Sequence, residues 1–447
     1  MWLARARVQL PRPAVRAILG LSAAALVLVV ARWLRPVRPI DLSVYLSGAR
    51  ALLHGADVTS AHPADSLLPF TYPPFAALLF VPLLALPTLR AASMVMTALS
   101  VTALLVATRI SLEAVRPAWS ARRCWLVAVP VAAAAVPLDP LLDTVQLGQV
   151  NLILLAILLT DLLAPPDRRF RGALVGLATG IKLTPAIFIV FLLVTGQWRA
   201  ARTAVATGLG TVAVGLLLAP ASTVKFWTVL IFDPGHVGGI PYAGNQSLYG
   251  LTTRIGHGEH ALRWVWVIAV VAASVLGLTA ARWAHQAGHR LAAVSLVGLT
   301  GLLDSPVSWN HHWVWLVPGV LALWSARWWL PTGLVVLSAA APIWWVPRGG
   351  NREYDEHGWQ LLAGNAYVLA GVLTLVLAAA YLTAQRRRTD LAVPRIPERV
   401  SGPGGSVEGG SVEGGEQGLG QVRGQVVADQ QFVLRLVRPA ETDGGGA

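Results

Sequence analysis

What most limits how this chain can fold is a succession of apolar windows. They fall near 14–33, 74–88, 91–109, 123–137, 149–164, 172–194, 200–219, 262–282, 290–303, 311–327, 329–346 and 362–383, separated by charges or by Pro and Gly. A bilayer asks for about 20 apolar residues per helical crossing, and several windows are shorter, so tilted, broken or re-entrant helices are expected. Soluble domains carry about 25% charged residues. Here 13% of 447 residues are charged and 55% are hydrophobic. The fold class is therefore an all-α, polytopic transmembrane helical bundle of about twelve spans, some of them short or re-entrant.

The charge distribution supports that reading. A net charge of +13 would suggest nucleic acid in a soluble chain, but the basic residues lie between apolar windows, where loop charges set topology. No folded soluble domain is left to carry a nucleic-acid surface. Arg5, Arg7, Arg12 and Arg16 precede "AILGLSAAALVLVV", and no A-x-A cleavage signal follows, so this is expected to be an uncleaved first span with a cytoplasmic N-terminus. Arg199 and Arg202, Arg282 and Arg290, Arg327, and Arg386–Arg388 mark cytoplasmic loops and a cytoplasmic C-terminus. Segments 34–73, 221–261, 304–311 and 347–361 then face outward. Simple alternation puts Arg122, Arg123, Arg168, Arg169 and Arg171 on the wrong side; re-entrant segments at 74–88 and 172–194, the latter breaking at Pro185, restore the bias. Residues 1–385 are expected to form the polytopic membrane domain, and 386–447, with "GGSVEGGSVEGGE", a disordered Gly/Glu-rich cytoplasmic tail. The single Cys124 rules out a disulfide framework within one chain.

Polar residues at the edges of such windows are costly and tend to be functional. Asp41 stands in "PIDLSVY", at a position that suits either a helix N-cap or a functional acid; Val44, Leu46, Ala49, Leu52 and Leu53 suggest a helix lying on the membrane surface. Phe70, Tyr72 and Phe75 read as an interfacial aromatic belt. Asp143, Gln146 and Gln149 share a face if "LDPLLDTVQLGQVNLILL" is one helix, and Asn151 follows. Lys182 lies ten residues into its window, where a Lys costs roughly 3 kcal/mol to insert; it needs an anionic partner. The loop "DPGHVGGIPYAGNQSLYGLTTR" offers Asn245, Gln246 and Arg254. Last comes "DSPVSWNHHWVW", with Asp304, Trp309, His311, His312, Trp313 and Trp315. Adjacent histidines point to different sides of a helix, so at most one faces a given cavity, which disfavours a metal site. Phosphate-binding loops, H-E-x-x-H and G-x-S-x-G are absent.

In this order, "DLSVYLSGARALLHG", "FTYPPFAALLF", "LGQVNLILLAILLTD", "GLATGIKLTPAIFIVFLLV", "NQSLYGLTTR" and "DSPVSWNHHWVW" resemble the polyprenyl-phosphate-mannose-dependent α-mannosyltransferases of glycosyltransferase family 87, GT-C-type membrane enzymes typical of actinobacteria. The resemblance spans roughly 35–385 and leaves out the tail. It implies a site facing the extracytoplasmic side of the cell membrane, a polyprenyl-phosphate-mannose donor, a mannolipid acceptor and an α-(1→2) product. It also implies a base at the position of Asp41. One inverting displacement needs a single base opposite a stabilised leaving group. Lys182 and His312, in preference to His311, are the candidates at the phosphate, with Arg254 a lesser third. Tyr45, Tyr72, Gln149, Asn151, Asn245, Gln246, Asp304, Trp309 and His311 are candidates for holding donor and acceptor. No metal or cofactor is required. A polyprenyl-sugar flippase would share the buried Lys but should show symmetry-related repeats, which the two halves lack. A GT-C enzyme for another sugar would share the motifs.

Overall fold

The computed structural model describes residues 39–258, 262–324 and 329–392. The expected first span at 14–33 and the tail beyond 392 lie outside the described residues. Every regular element among the described residues is helical, apart from an isolated antiparallel bridge between Asn245 and Trp309. In chain order these are α1 (Ile40–Leu53), α2 (Phe75–Phe80), α3 (Leu89–Val115), α4 (Ala121–Ala135), α5 (Asp139–Leu147), α6 (Asn151–Leu162), α7 (Ala173–Ile181), α8 (Ile187–Val194) and α9 (Trp198–Leu218). They continue as α10 (Pro220–Thr228), α11 (Leu248–Ile255), α12 (Arg263–Gln286), α13 (Arg290–Asp304), α14 (Leu316–Trp324), α15 (Trp329–Ala340), α16 (Trp359–Gly364) and α17 (Ala366–Ala392).

Among the described residues four helices are long and apolar enough to cross a membrane: α3, α9, α12 and the stretch Ala366–Arg388 of α17. The pair α4 and α5, bent by 84°, is a further broken span or re-entrant loop. Phe75–Ala85, Asn151–Leu162, Thr184–Val194 and Leu330–Trp344 are shorter apolar helices. On α12, Trp264, Ile268, Val271 and Val275 form an exposed apolar stripe at helical spacing, which suits lipid. Helix α17 continues past Arg386, where the sequence suggests a tail, because nothing in "QRRRTDLA" stops a helix.

The breaks follow from proline. Pro137 and Pro140 cannot continue the helix through the α4–α5 bend, and Leu138 is extended there (φ −68°, ψ 134°). Pro185 acts four residues upstream: its ring would clash with the carbonyl of Ile181, so α7 ends at Ile181 and Lys182 becomes extended (φ −147°, ψ 134°). The break expected at Pro185 therefore falls on Lys182 itself. Small residues allow the long helices to pack closely: Gly176 of α7 sits against Ala204 of α9, and Gly277 of α12 against Thr300 of α13.

Two expectations change. Helix α1 is buried over most of its circumference, with Leu42, Tyr45 and Ala49 fully covered, so its apolar stripe packs against protein where the sequence reading expected it to face lipid. The stripe read from it counted only aliphatic residues and missed Tyr45. Nor is 138–155 one helix. Helix α5 ends at Leu147, with Gly148 in the left-handed region (φ 71°), which places Gln149 apart from the Asp143 face.

The α6–α7 corner is held by one carboxylate. Buried Asp161 accepts from the backbone N–H groups of Gly172 (2.8 Å), Leu174 (2.9 Å) and Val175 (3.1 Å), capping α7 from a distance. We expect Asp161→Ala to destabilise the detergent-purified protein by about 2 kcal/mol on the scale of strong caps, seen as a lower thermal midpoint, and Asp161→Asn to recover part of it.

Candidate active site

A cleft of about 1450 Å³ opens among α1, α5, the α7–α8 break, α12, α13 and the 233–254 loop; Asp41, Tyr72, Gln149, Lys182, Asp304, Trp309, His311 and His312 are among its lining residues. Residues spread over some 270 positions of sequence are thus gathered at one site.

On one side Asp41 lies in the first turn of α1. It is not a cap: Pro39 holds that position, without a side-chain bond. Its Oδ2 accepts from Gln149 Nε2 at 2.8 Å. The Gln149 amide is in turn enclosed by two phenols, with Tyr45 Oη 2.6 Å from Oε1 and Tyr72 Oη 3.2 Å from Nε2. The two hydroxyls are 2.9 Å apart. Burial pushes the Asp41 carboxyl above its ordinary range, while the Gln149 bond and the Lys182 charge oppose that rise.

On the other side Lys182 donates to Asn151 Oδ1 (2.9 Å) and lies 2.9 Å from His312 Nε2. Its ammonium also sits 5.5 Å from the centre of the Tyr72 ring, within cation–π range. An ammonium has three donors, and two are engaged here.

The histidine turn is a 3-10 segment, Asn310–Trp315. His311 and His312 are both among the lining residues of the cleft, their rings packed edge-on with centres 4.8 Å apart, where the sequence reading expected at most one to face it. The turn is fastened to α5 and α6. The His311 carbonyl accepts from Thr144 Oγ1 and Asn151 Nδ2, each at 2.8 Å. Asn310 Nδ2 donates to Asp143 (2.7 Å) and Asp139 (3.0 Å), and Asp139 also receives Tyr367 and Trp344. His311 Nε2 is buried without a protein partner.

The aromatic residues divide. Trp309 lines the cleft, but Trp315 packs on Phe188 (5.2 Å between centres) and Trp313 on Tyr367 (5.9 Å), so those two serve the core. Asp304 faces the cleft with Oδ2 bonded to Ser274 at 2.6 Å.

Asn245, Gln246 and Arg254 do not line the cleft. Each is buried and stitches the loop together. Asn245 receives Ser308 N–H (2.9 Å) and donates to Ile240 and Pro306 carbonyls. Gln246 bonds to Ala243, Gly364 and Tyr367. Arg254 donates to Asn365 (3.0 Å) and to the Asn245, Pro241 and Tyr242 carbonyls. Sequence alone could not separate a polar loop that binds hydroxyls from one that binds itself. It also passed over Thr144, Asp139 and Asp143 as anchors of the histidine turn, although their spacing on α5 was visible.

The model of glycosyltransferase family 87 matches residues 70–306, more than half of the chain. This chain belongs to glycosyltransferase family 87. The matched span contains Tyr72, Gln149, Asn151, Lys182 and Asp304, while Asp41 and the two histidines lie just outside it. A polyprenol-phosphate-mannose-dependent α-(1-2)-phosphatidylinositol mannoside mannosyltransferase of Mycobacterium tuberculosis is 34% identical over 77% of this chain and 86% of its own length. The protein with the same description from Mycolicibacterium smegmatis is 34% identical over 74% of this chain and 81% of its own. A phosphatidylinositol pentamannoside mannosyltransferase of M. tuberculosis is 36% identical over 76% and 81%. No solved structure matches.

In this family 87 chain the stitched loop also carries a titratable contact. Glu356 is buried beside Arg254 and Glu353, and burial pushes its carboxyl up to about 7. A carboxyl raised on folding contributes stability that is complete below its unfolded value, near 4.5, and is lost as pH rises through about 7. The thermal midpoint should therefore fall between about pH 5 and 8, and Glu356→Gln should flatten that dependence. An unchanged slope in the mutant would place the titration elsewhere.

Proposed function

We propose that this chain transfers mannose from polyprenyl-phosphate-mannose to a phosphatidylinositol mannoside or related mannolipid, with inversion and formation of an α-(1→2) linkage. The observation that carries this is the pairing, across one cleft, of a desolvated carboxylate, Asp41, with an ammonium, Lys182, that has one N–H to spare. The descriptions of the family 87 relatives supply the donor and the acceptor class.

The reaction follows from that geometry. The acceptor hydroxyl oxygen attacks the anomeric carbon opposite the phosphate, and Asp41 takes its proton. The bond from carbon to the phosphate oxygen breaks with its electron pair, leaving polyprenyl phosphate. Lys182 receives the developing charge through its third N–H, while Asn151 and His312 hold the ammonium in place. His312 therefore acts through Lys182, because its Nε2 is already engaged there. Trp309, Asp304 and His311 are further candidates that line the cleft; Asn245, Gln246 and Arg254 support the 233–254 loop. Lys182 and His312 can act by charge and hydrogen bonding alone, so the reading invokes no metal or cofactor. Among the described residues no three His, Cys, Asp or Glu side chains converge on a metal position.

We read the short and bent helices as pairs that complete about twelve crossings, with both termini cytoplasmic and the cleft extracytoplasmic. On that reading the membrane catalytic domain ends near 385–392. Leu183, Ile187, Val190 and Leu278 give the cleft an apolar side towards α8 and α12, suited to the polyprenyl chain.

Asp41→Asn should abolish mannose transfer in purified membranes while the protein still folds; normal turnover in the mutant would sink the mechanism. Lys182→Ala should raise the donor KM more than the acceptor KM and lower kcat by roughly 100-fold. An unchanged donor KM at normal rate would refute its role.

A further inference from the structure

We infer that Gln149 is the positioning residue of the Asp41 carboxylate, and that Tyr45 and Tyr72 dictate which way its amide faces. The inference rests on the reading of Asp41 as the base and gives Gln149 a role different from holding substrate.

The hydrogen bonds support it. Tyr45 is fully enclosed, so its hydroxyl must be satisfied within the protein. Its neighbours are Gln149 Oε1 at 2.6 Å, Tyr72 Oη at 2.9 Å and the Val150 backbone. Tyr45 O–H donates to Gln149 Oε1, which Tyr72 O–H also reaches at 3.3 Å, and the two N–H groups of Gln149 reach Tyr72 (3.2 Å) and Asp41 Oδ2 (2.8 Å). Reversing the amide would set its carbonyl against the carboxylate and take from Tyr45 O–H its acceptor at 2.6 Å. The amide so held presents a donor to Asp41, which favours the ionised form because hydrogen bonds to charged acceptors are about twice as strong.

The backbone supports the same assignment. Gly148 turns the chain in the left-handed region, and a Cβ there would come within 2.8 Å of Leu42 Cβ. The turn thus seats Gln149 directly on the first turns of α1. The hydrogen bonds described for Asp41 go to Oδ2, leaving Oδ1 for the proton of an incoming hydroxyl. The other groups that face Asp41 are Lys182 from the α7–α8 break, Tyr45 of its own helix and Tyr72; Asp143 of α5 lines the same cleft.

The test combines titration and kinetics on the full-length protein. Infrared difference spectra would follow the Asp41 carboxyl against pH, with Asp41→Asn as the subtraction. In Gln149→Leu the carboxyl should titrate about one pH unit higher than in wild type, further still in Gln149→Glu, and by less in Tyr45→Phe. In transfer assays Gln149→Leu should lose roughly tenfold in kcat at neutral pH, keep both KM values within about twofold, and recover towards wild type as pH rises. An unmoved Asp41 titration in Gln149→Glu and Tyr45→Phe would overturn the inference, as would a pH-independent loss or a changed KM at unchanged kcat. If the titration moves but wild type transfers no mannose from polyprenyl-phosphate-mannose, the positioning stands and the proposed function fails.

Discussion

An ammonium inside an apolar helix bundle is tolerated only where the protein supplies acceptors for it, and much of this structure is arranged to do so for Lys182. Pro185 ends α7 one residue before it, so the side chain leaves an extended backbone instead of a helix face. Asn151 then reaches it from the start of α6, and His312 from a 3-10 turn 130 positions later in the chain. Asn151 performs both tasks at once, holding the ammonium with Oδ1 and the histidine turn with Nδ2. Loss of that one amide would disconnect the cation and its imidazole neighbour together.

The two sides of the cleft illustrate opposite ways of burying polarity. On the Lys182 side a cation is surrounded by neutral acceptors, which preserves its charge for a ligand. On the Asp41 side a carboxylate is met by a neutral donor whose orientation is fixed by two phenols. Neither group is placed in a direct ion pair with the other, which would leave each less available to substrate. Membership of glycosyltransferase family 87 gives this arrangement its chemical context.

The sequence revealed the class of fold and the principal candidate residues more readily than their geometry. The apolar windows announced a helical membrane protein because lipid demands length and leaves a hydropathy signature. Asp41, Lys182 and the His311–His312 pair stood out because charge in an oily chain is conspicuous. The failures share one cause. Periodicity assumes a continuous helix, and the informative places are where helices stop: Gly148, Lys182 and the 3-10 turn at Asn310. There the face shared by Asp143 and Gln149 dissolves, and two adjacent histidines both reach the cleft. Composition likewise could not show that Asn245, Gln246 and Arg254 spend their polar atoms on backbone carbonyls and on each other's loop. Tyr45 was legible only as a candidate for holding substrate, since its contact with Gln149 exists only once Tyr72 and Gln149 are brought beside it.

The bridge between Asn245 and Trp309 has a consequence for how the site opens. Through Gln246 N–H to the Ser308 carbonyl and Asn310 N–H to the Gly244 carbonyl, the glycine-rich loop and the histidine turn are sewn into one piece. A displacement of the glycine-rich loop would therefore carry the histidine turn with it, and His312 away from Lys182.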